Sequence, residues 1–131
     1  MPGLELFDYA VVRVVPRVER GEFINAGVIV SCPALGYLKA KVGLDERRLA
    51  ALDPTLDPSF VREHLRAVVA VCEGGEGAGP VGLLPPRSRF HWLVAPRSTV
   101  IQTSPAHTGL CDDGERMLER LFDRMVSPPR A

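Results

Sequence analysis

The chain is short of the features that usually place a protein. It has no apolar run near the roughly 20 residues that a bilayer-spanning helix needs, so no membrane span is expected. Its first residues, MPGLELFDYA, have no basic stretch leading into an apolar one, so no secretory signal is read there. The three cysteines, Cys32, Cys72 and Cys111, are odd in number and form no CxxC pair. That argues against a disulfide framework and fits a reducing, cytoplasmic setting. P-loop, G-x-G-x-x-G, G-x-S-x-G and H-E-x-x-H motifs are all missing, which removes the nucleotide-binding, hydrolase and zinc-protease classes they mark. Neither sign of charge is in excess: 16 Lys and Arg balance 16 Asp and Glu. A nucleic-acid binder working through an overall positive field is therefore not expected. What is present is 131 residues, 46% apolar and 24% charged, the composition of a soluble globular domain with one core.

Twelve Gly and twelve Pro imply many turns and short elements. Residues 6–16, LFDYAVVRVVP, predict a strand rich in Val and aromatic residues and ended by Pro16. Residues 22–32, EFINAGVIVSC, predict a second, and 36–43, GYLKAKVG, a third that alternates cleanly. Short connections make these three an antiparallel meander. Residues 45–52 predict a short helix starting near Asp45. Residues 58–73 predict a longer one, with Asp57 as N-cap and Pro58 in the first position. The Gly/Pro-rich stretch 74–86 reads as a mobile loop. Residues 89–95 and 99–104 read as two more strands, followed by a polar turn, TSPAHTGL. Asp112 and Glu115 have capping-box spacing, opening a last helix with Leu118, Leu121, Phe122 and Met125 along one stripe. The order β-β-β-α-α-β-β-α predicts an α+β fold: an antiparallel sheet of about five strands packed against helices. Residues 1–126 form a single domain in this reading, and 127–131 a frayed tail.

Register follows from the alternation. If the apolar even faces of the first two strands coincide, opposed residue numbers sum to an even total. Arg13 then faces Asn25, Lys39 faces Ile29 and Lys41 faces Gly27. The second face carries Arg13, Asn25, Tyr37, Lys39 and Lys41, with Gly27 leaving a gap where a ligand could approach. Asn25 and Gly27 are poor strand formers within a good strand, as expected where close packing or binding outweighs propensity.

Arg87 to Asp113 holds polar groups at unusual density between apolar runs. Such groups are costly unless exposed or satisfied by one another or by a ligand. Arg97 and Ser98 follow Pro96 at a turn that could hold an anion, against the commoner reading of plain turn chemistry. The expected ligand-binding set is Arg13, Asn25, Arg97, Ser98, Gln102 and His107 on one water-facing, anion-binding patch. A second reading is a small hydrolase or transferase. His107 would be its base, Arg97 its anion stabiliser and Cys111 a thiolate activated by a helix N-terminus. His91, His107 and Cys111 lack the spacing of a metal site, so neither metal nor cofactor is expected.

Two stretches, YAVVRVVPRVERGEFINAGVIV near the start and RFHWLVAPRSTVIQTSPAHTGLCDD near the end, resemble bacterial proteins grouped as domain of unknown function 3037 (DUF3037). The resemblance implies no assigned activity and carries over no catalytic residue. Members are often encoded beside a kinase-like protein of the HipA class, so it implies an accessory role with a HipA-like kinase-fold protein as partner. The expectation is a non-catalytic accessory or binding protein with a protein partner or an anionic small molecule as ligand. Unpaired strand edges would also permit a homodimer.

Overall fold

In the computed structural model, which describes residues 3–129, β1 (Glu5–Val14) is the longest strand and the hub of the sheet. On one side it pairs antiparallel with β2 (Ile24–Cys32), which pairs in turn with β3 (Tyr37–Val42). On its other side it takes two short strands end to end. β4 (Ile101–Thr103) lies beside Val12–Val14, and β5 (His107–Cys111) beside Glu5–Tyr9. All five strands belong to one antiparallel sheet.

Helices cover both faces. α1 (Glu46–Leu52), α2 (Pro58–Glu73) and α3 (Pro86–Val94) place Leu49, Val61, Leu65, Phe90 and Leu93 in one core with Val12, Val14 and Ile29. α4 (Gly114–Met125) packs Leu118 and Leu121 on the opposite face against Phe7, Val28 and Val30. Asp45, Asp57 and Asp113 cap α1, α2 and α4 through their carboxylates. The last cap falls one residue after the expected Asp112, because the strand runs on to Cys111 and Asp112 makes the bend.

The register departs from the even-sum rule. The rule holds below a bulge in β1–β2 pairing at Val12/Arg13, where Arg13 faces Asn25 and Val14 faces Ile24. Above the bulge Val12 faces Gly27 and Ala10 faces Ile29, while β3 sets Lys39 against Val30 and Lys41 against Val28. The cause is two-sided burial. From Ala26 to Cys32 every residue of β2 is buried, so apolar side chains point both ways and alternation does not select the pairing. Gly27 accordingly opens no gap on the α4 face. It lies on the other face, where a Cβ would come within 2.9 Å of both the Lys41 carbonyl and the Val42 side chain.

Three segments differ from expectation. Residues 89–94 are helical, because Pro86 occupies the first turn of α3 and Arg89, Phe90 and Leu93 all turn inward. The polar stretch after Thr103 contains β5, since β1 is long enough to hold a second partner strand. Residues 74–86 include two 3-10 turns, Glu76–Ala78 and Pro80–Leu83, closed by Gly75 N–H donating to Gly82 O at 2.9 Å. Of the expected tail, residues 130 and 131 lie outside the described range.

Arg89 is buried and holds this corner together. Its guanidinium donates to the carbonyls of Val71 (2.8 Å) and Cys72 (2.6 Å) at the end of α2, and to that of Leu84 (3.0 Å). The positive charge satisfies carbonyls that a helix C-terminus leaves without partners and complements its dipole. Gly74, at φ +79°, makes room: a Cβ there would lie 2.6 Å from Arg89 Nη1. Charge-assisted hydrogen bonds each contribute about 1.5–3 kcal/mol. Arg89→Met should therefore lower unfolding free energy by about 3 kcal/mol in urea titrations, and Arg89→Lys should recover only part of it.

Candidate functional site

The register brings three of the expected ligand-binding residues into one row. Arg13 on β1 lies directly opposite Asn25 on β2 and directly opposite Gln102 on β4, so the three side chains share the α4 face of the sheet. All three are half-buried. Asn25 donates to the carbonyl of Met125 at the end of α4 (2.9 Å), and Gln102 donates to the Thr99 carbonyl (2.9 Å). Each amide nitrogen retains a second N–H. The Arg13 guanidinium stacks on the Phe23 ring, 4.1 Å from its centroid. Its Nε is buried and has no hydrogen-bond partner, and no carboxylate forms an ion pair with it among the described residues. A buried donor on a charged group is costly to leave unpaired.

The other cations of this face are engaged. Lys41 bonds Glu119 of α4 at 2.5 Å, Lys39 lies 3.9 Å from Glu115, and the Tyr37 hydroxyl donates to Glu115 at 2.7 Å. Burial, with Glu115 behind it, pushes the Tyr37 phenol well above its ordinary range. The lysines are thus tied to α4, and the donor set left for an anion is Arg13 with its two amides.

Arg97 sits apart, in the loop between α3 and β4. Its guanidinium stacks on Trp92 at 4.5 Å and donates to the Trp92 carbonyl. It borders a groove of about 650 Å³ between α2, α3 and β4, on the face of the sheet away from α4. It also shares a smaller cleft of about 270 Å³ with Gln102 and Ser104 at the β4 edge. Gln102 therefore stands between the Arg13 row and the Arg97 cleft. Ser98 is exposed in the same loop and lines neither cavity. His107 is farther along the edge on β5, its ring 5.3 Å from that of Tyr9.

His107 and Cys111 point to the same face but are four strand residues apart, a separation of about 13 Å. That is well beyond hydrogen-bond reach for a base and its nucleophile. Cys111 is buried against the α4 core, and burial, with Cys32 beside it, pushes its thiol up rather than down. The activated-thiolate expectation is overturned: the dipole of a nearby helix start does not outweigh desolvation. Among the described residues no three His, Cys, Asp or Glu side chains are grouped to hold a metal ion, and no helix is long and apolar enough to cross a membrane.

The sequence pattern characteristic of a protein of unknown function, DUF3037, matches residues 9–126, most of the chain. The chain belongs to the DUF3037 family. No curated protein and no solved structure matches it.

One polar network in this DUF3037 chain was not legible in its sequence. Asp8 of β1 accepts hydrogen bonds from Arg87 of α3 and from Thr108 of β5 (2.6 Å), and Arg87 also donates to the buried Ser31 hydroxyl (3.0 Å). These groups lie far apart in sequence, and only α3 being a helix brings Arg87 over the sheet. Burial alone would raise the Asp8 carboxyl, but the bonds from Thr108 and Arg87 and the Arg87 charge hold it below the usual carboxylate range. A depressed carboxylate stabilises the fold above its unfolded pKa, about 4, and that contribution is lost as pH falls through the lower folded value. Because Arg87 is partly exposed, Asp8→Asn should cost only about 1–2 kcal/mol at neutral pH. Chemical unfolding at several pH values should show that difference constant above pH about 5 and shrinking below pH about 4. For the thiols, Cys111 in the folded protein should react with a maleimide or disulfide reagent far more slowly than in urea at the same pH. Fast labelling near neutral pH would contradict the buried, raised thiol.

Proposed function

We propose that this DUF3037 chain is a non-catalytic accessory protein that grips a protein partner through a carboxylate seated on the Arg13, Asn25 and Gln102 row. One observation carries the reading: the buried Arg13 Nε–H has no partner among the described residues. A guanidinium recognises a carboxylate through parallel N–H donors, and flanking amides complete the acceptor's remaining bonds. The Phe23 ring fixes the plane of the guanidinium before any ligand arrives, which lowers the ordering cost of binding. The partner class that the family resemblance implies is a HipA-like kinase-fold protein, presenting an Asp, a Glu or a C-terminal carboxylate.

The alternative hydrolase or transferase has less support, because His107, Arg97 and Cys111 belong to three separate settings.

Stability and binding separate cleanly at Arg13. Replacing a charged donor that lacks a partner removes a desolvation cost along with the Phe23 stack, the latter worth about 0.5–1 kcal/mol. Arg13→Leu should therefore unfold within about 1 kcal/mol of wild type. In calorimetric titrations with a HipA-like kinase-fold protein, the same variant should bind at least about tenfold more weakly, a loss of about 1.4 kcal/mol. Wild-type binding that Arg13→Leu leaves intact would remove the row from the interface, and no wild-type binding would remove the proposed partner.

A further inference from the structure

The groove beside Arg97 has a chemistry distinct from the Arg13 row and lies on the other side of the sheet. Its walls are Phe60, Val68 and Val71 of α2, Trp92 and Leu93 of α3, and Ile101 of β4. Phe60 and Trp92 remain 43% and 45% exposed, although neighbouring Val71 and Leu93 are buried. Two aromatic side chains left half-open over one apolar trough differ from scattered surface hydrophobics, which need no explanation. The volume, about 650 Å³, falls within the roughly 300–1,000 Å³ of small-ligand sites.

Polarity in the groove is concentrated at one point. Arg97 is the only Lys or Arg among the lining residues, and no Asp or Glu lines the groove. Stacking on Trp92 and the bond to the Trp92 carbonyl hold its guanidinium in place without any ion pair among the described residues. His64 is turned toward its own helix: its Nδ1–H donates to the Phe60 carbonyl at 2.9 Å. The Thr99 hydroxyl is spent on the Ile101 carbonyl at 2.8 Å. An apolar trough with one guanidinium complements an apolar body with one negative charge. A phosphate dianion would lack a second cation here.

We infer that the groove binds a small apolar monocarboxylate, an alkyl or aryl chain with its acid group on Arg97. Trp92 is the only tryptophan in the chain, so its emission reports occupancy directly. Wild-type protein is titrated with decanoate, decanol and decyltrimethylammonium, each below its micelle concentration, with calorimetry as a second readout. Decanoate should give a saturable blue shift, decanol should bind at least about tenfold more weakly, and the cation should not bind. Arg97→Met should reduce decanoate to the affinity of decanol. Because that change also touches Trp92, Ala67→Glu provides an independent check by placing a carboxylate on the exposed rim, and it should weaken decanoate more than decanol. Naphthalene-2-carboxylate in place of decanoate tells an aryl from an alkyl preference, and binding of either supports the site. No saturable response to either acid overturns the inference, as does equal affinity for decanoate and decanol. A response only to an acidic peptide would assign the groove to a protein partner and overturn it too.

Discussion

Val11 gives both of its backbone groups to Ser104: its N–H donates to the Ser104 hydroxyl at 2.8 Å, and its carbonyl accepts the Ser104 N–H at 2.8 Å. This joint lets one long strand carry two short ones in succession. Without it the bend between β4 and β5 would leave a gap in the ladder of β1, in a part of the sheet where Val11 and Ser104 are both buried and an unpaired amide is costly. With it, the position of β4 is set from within the sheet. Gln102 then faces Arg13, and the loop carrying Arg97 comes down beside the groove. Both candidate binding features depend on a serine that belongs to neither the Arg13 row nor the larger groove.

The charge inventory separates structure from recognition. Arg89 is consumed by helix carbonyls, Arg87 by Asp8 and Ser31, and Lys39 and Lys41 by the carboxylates of α4. Arg13 and Arg97 are different: each rests on an aromatic ring, is half-buried, and has no carboxylate partner among the described residues. Among the described residues the other buried side-chain donors are satisfied and Arg13 Nε is not, and the proposed carboxylate site rests on that difference. The two guanidinium groups lie on opposite faces of the sheet, so they belong to two candidate sites of different polarity rather than one patch.

Much of the fold can be read from residues alone because local signals agree there. Asp57 and Pro58 open α2, the Val-rich runs make β1 and β2, and the short turn at Val18–Arg20 brings Arg13 opposite Asn25. What was not legible failed for identifiable reasons. RFHWLV has no period long enough to tell a helix from a strand, and the deciding feature, Arg89 reaching the end of α2, is a contact 17 and 18 residues away in sequence. His107–Cys111 has weak strand propensity and is a strand only because β1 offers an open edge. The register above the bulge could not be derived, since β2 is apolar on both faces. Asn25 and Gly27 nonetheless marked the place: as poor strand formers they flank the turn of register that aligns the Arg13 row. The groove left no trace in the sequence, because Phe60 and Trp92 belong to separate helices whose packing only the tertiary structure reveals.

The most direct measurement follows the Arg13 side chain itself. In protein carrying ¹⁵N-arginine, the Nε–H signal of Arg13, assigned with Arg13→Lys, is followed through a titration with N-acetylglutamate. It should shift saturably as carboxylate is added, while the Arg89 Nε–H signal, already bonded to the Leu84 carbonyl, does not move. An Arg13 signal that carboxylate never moves would mean that this donor has no vacancy to fill.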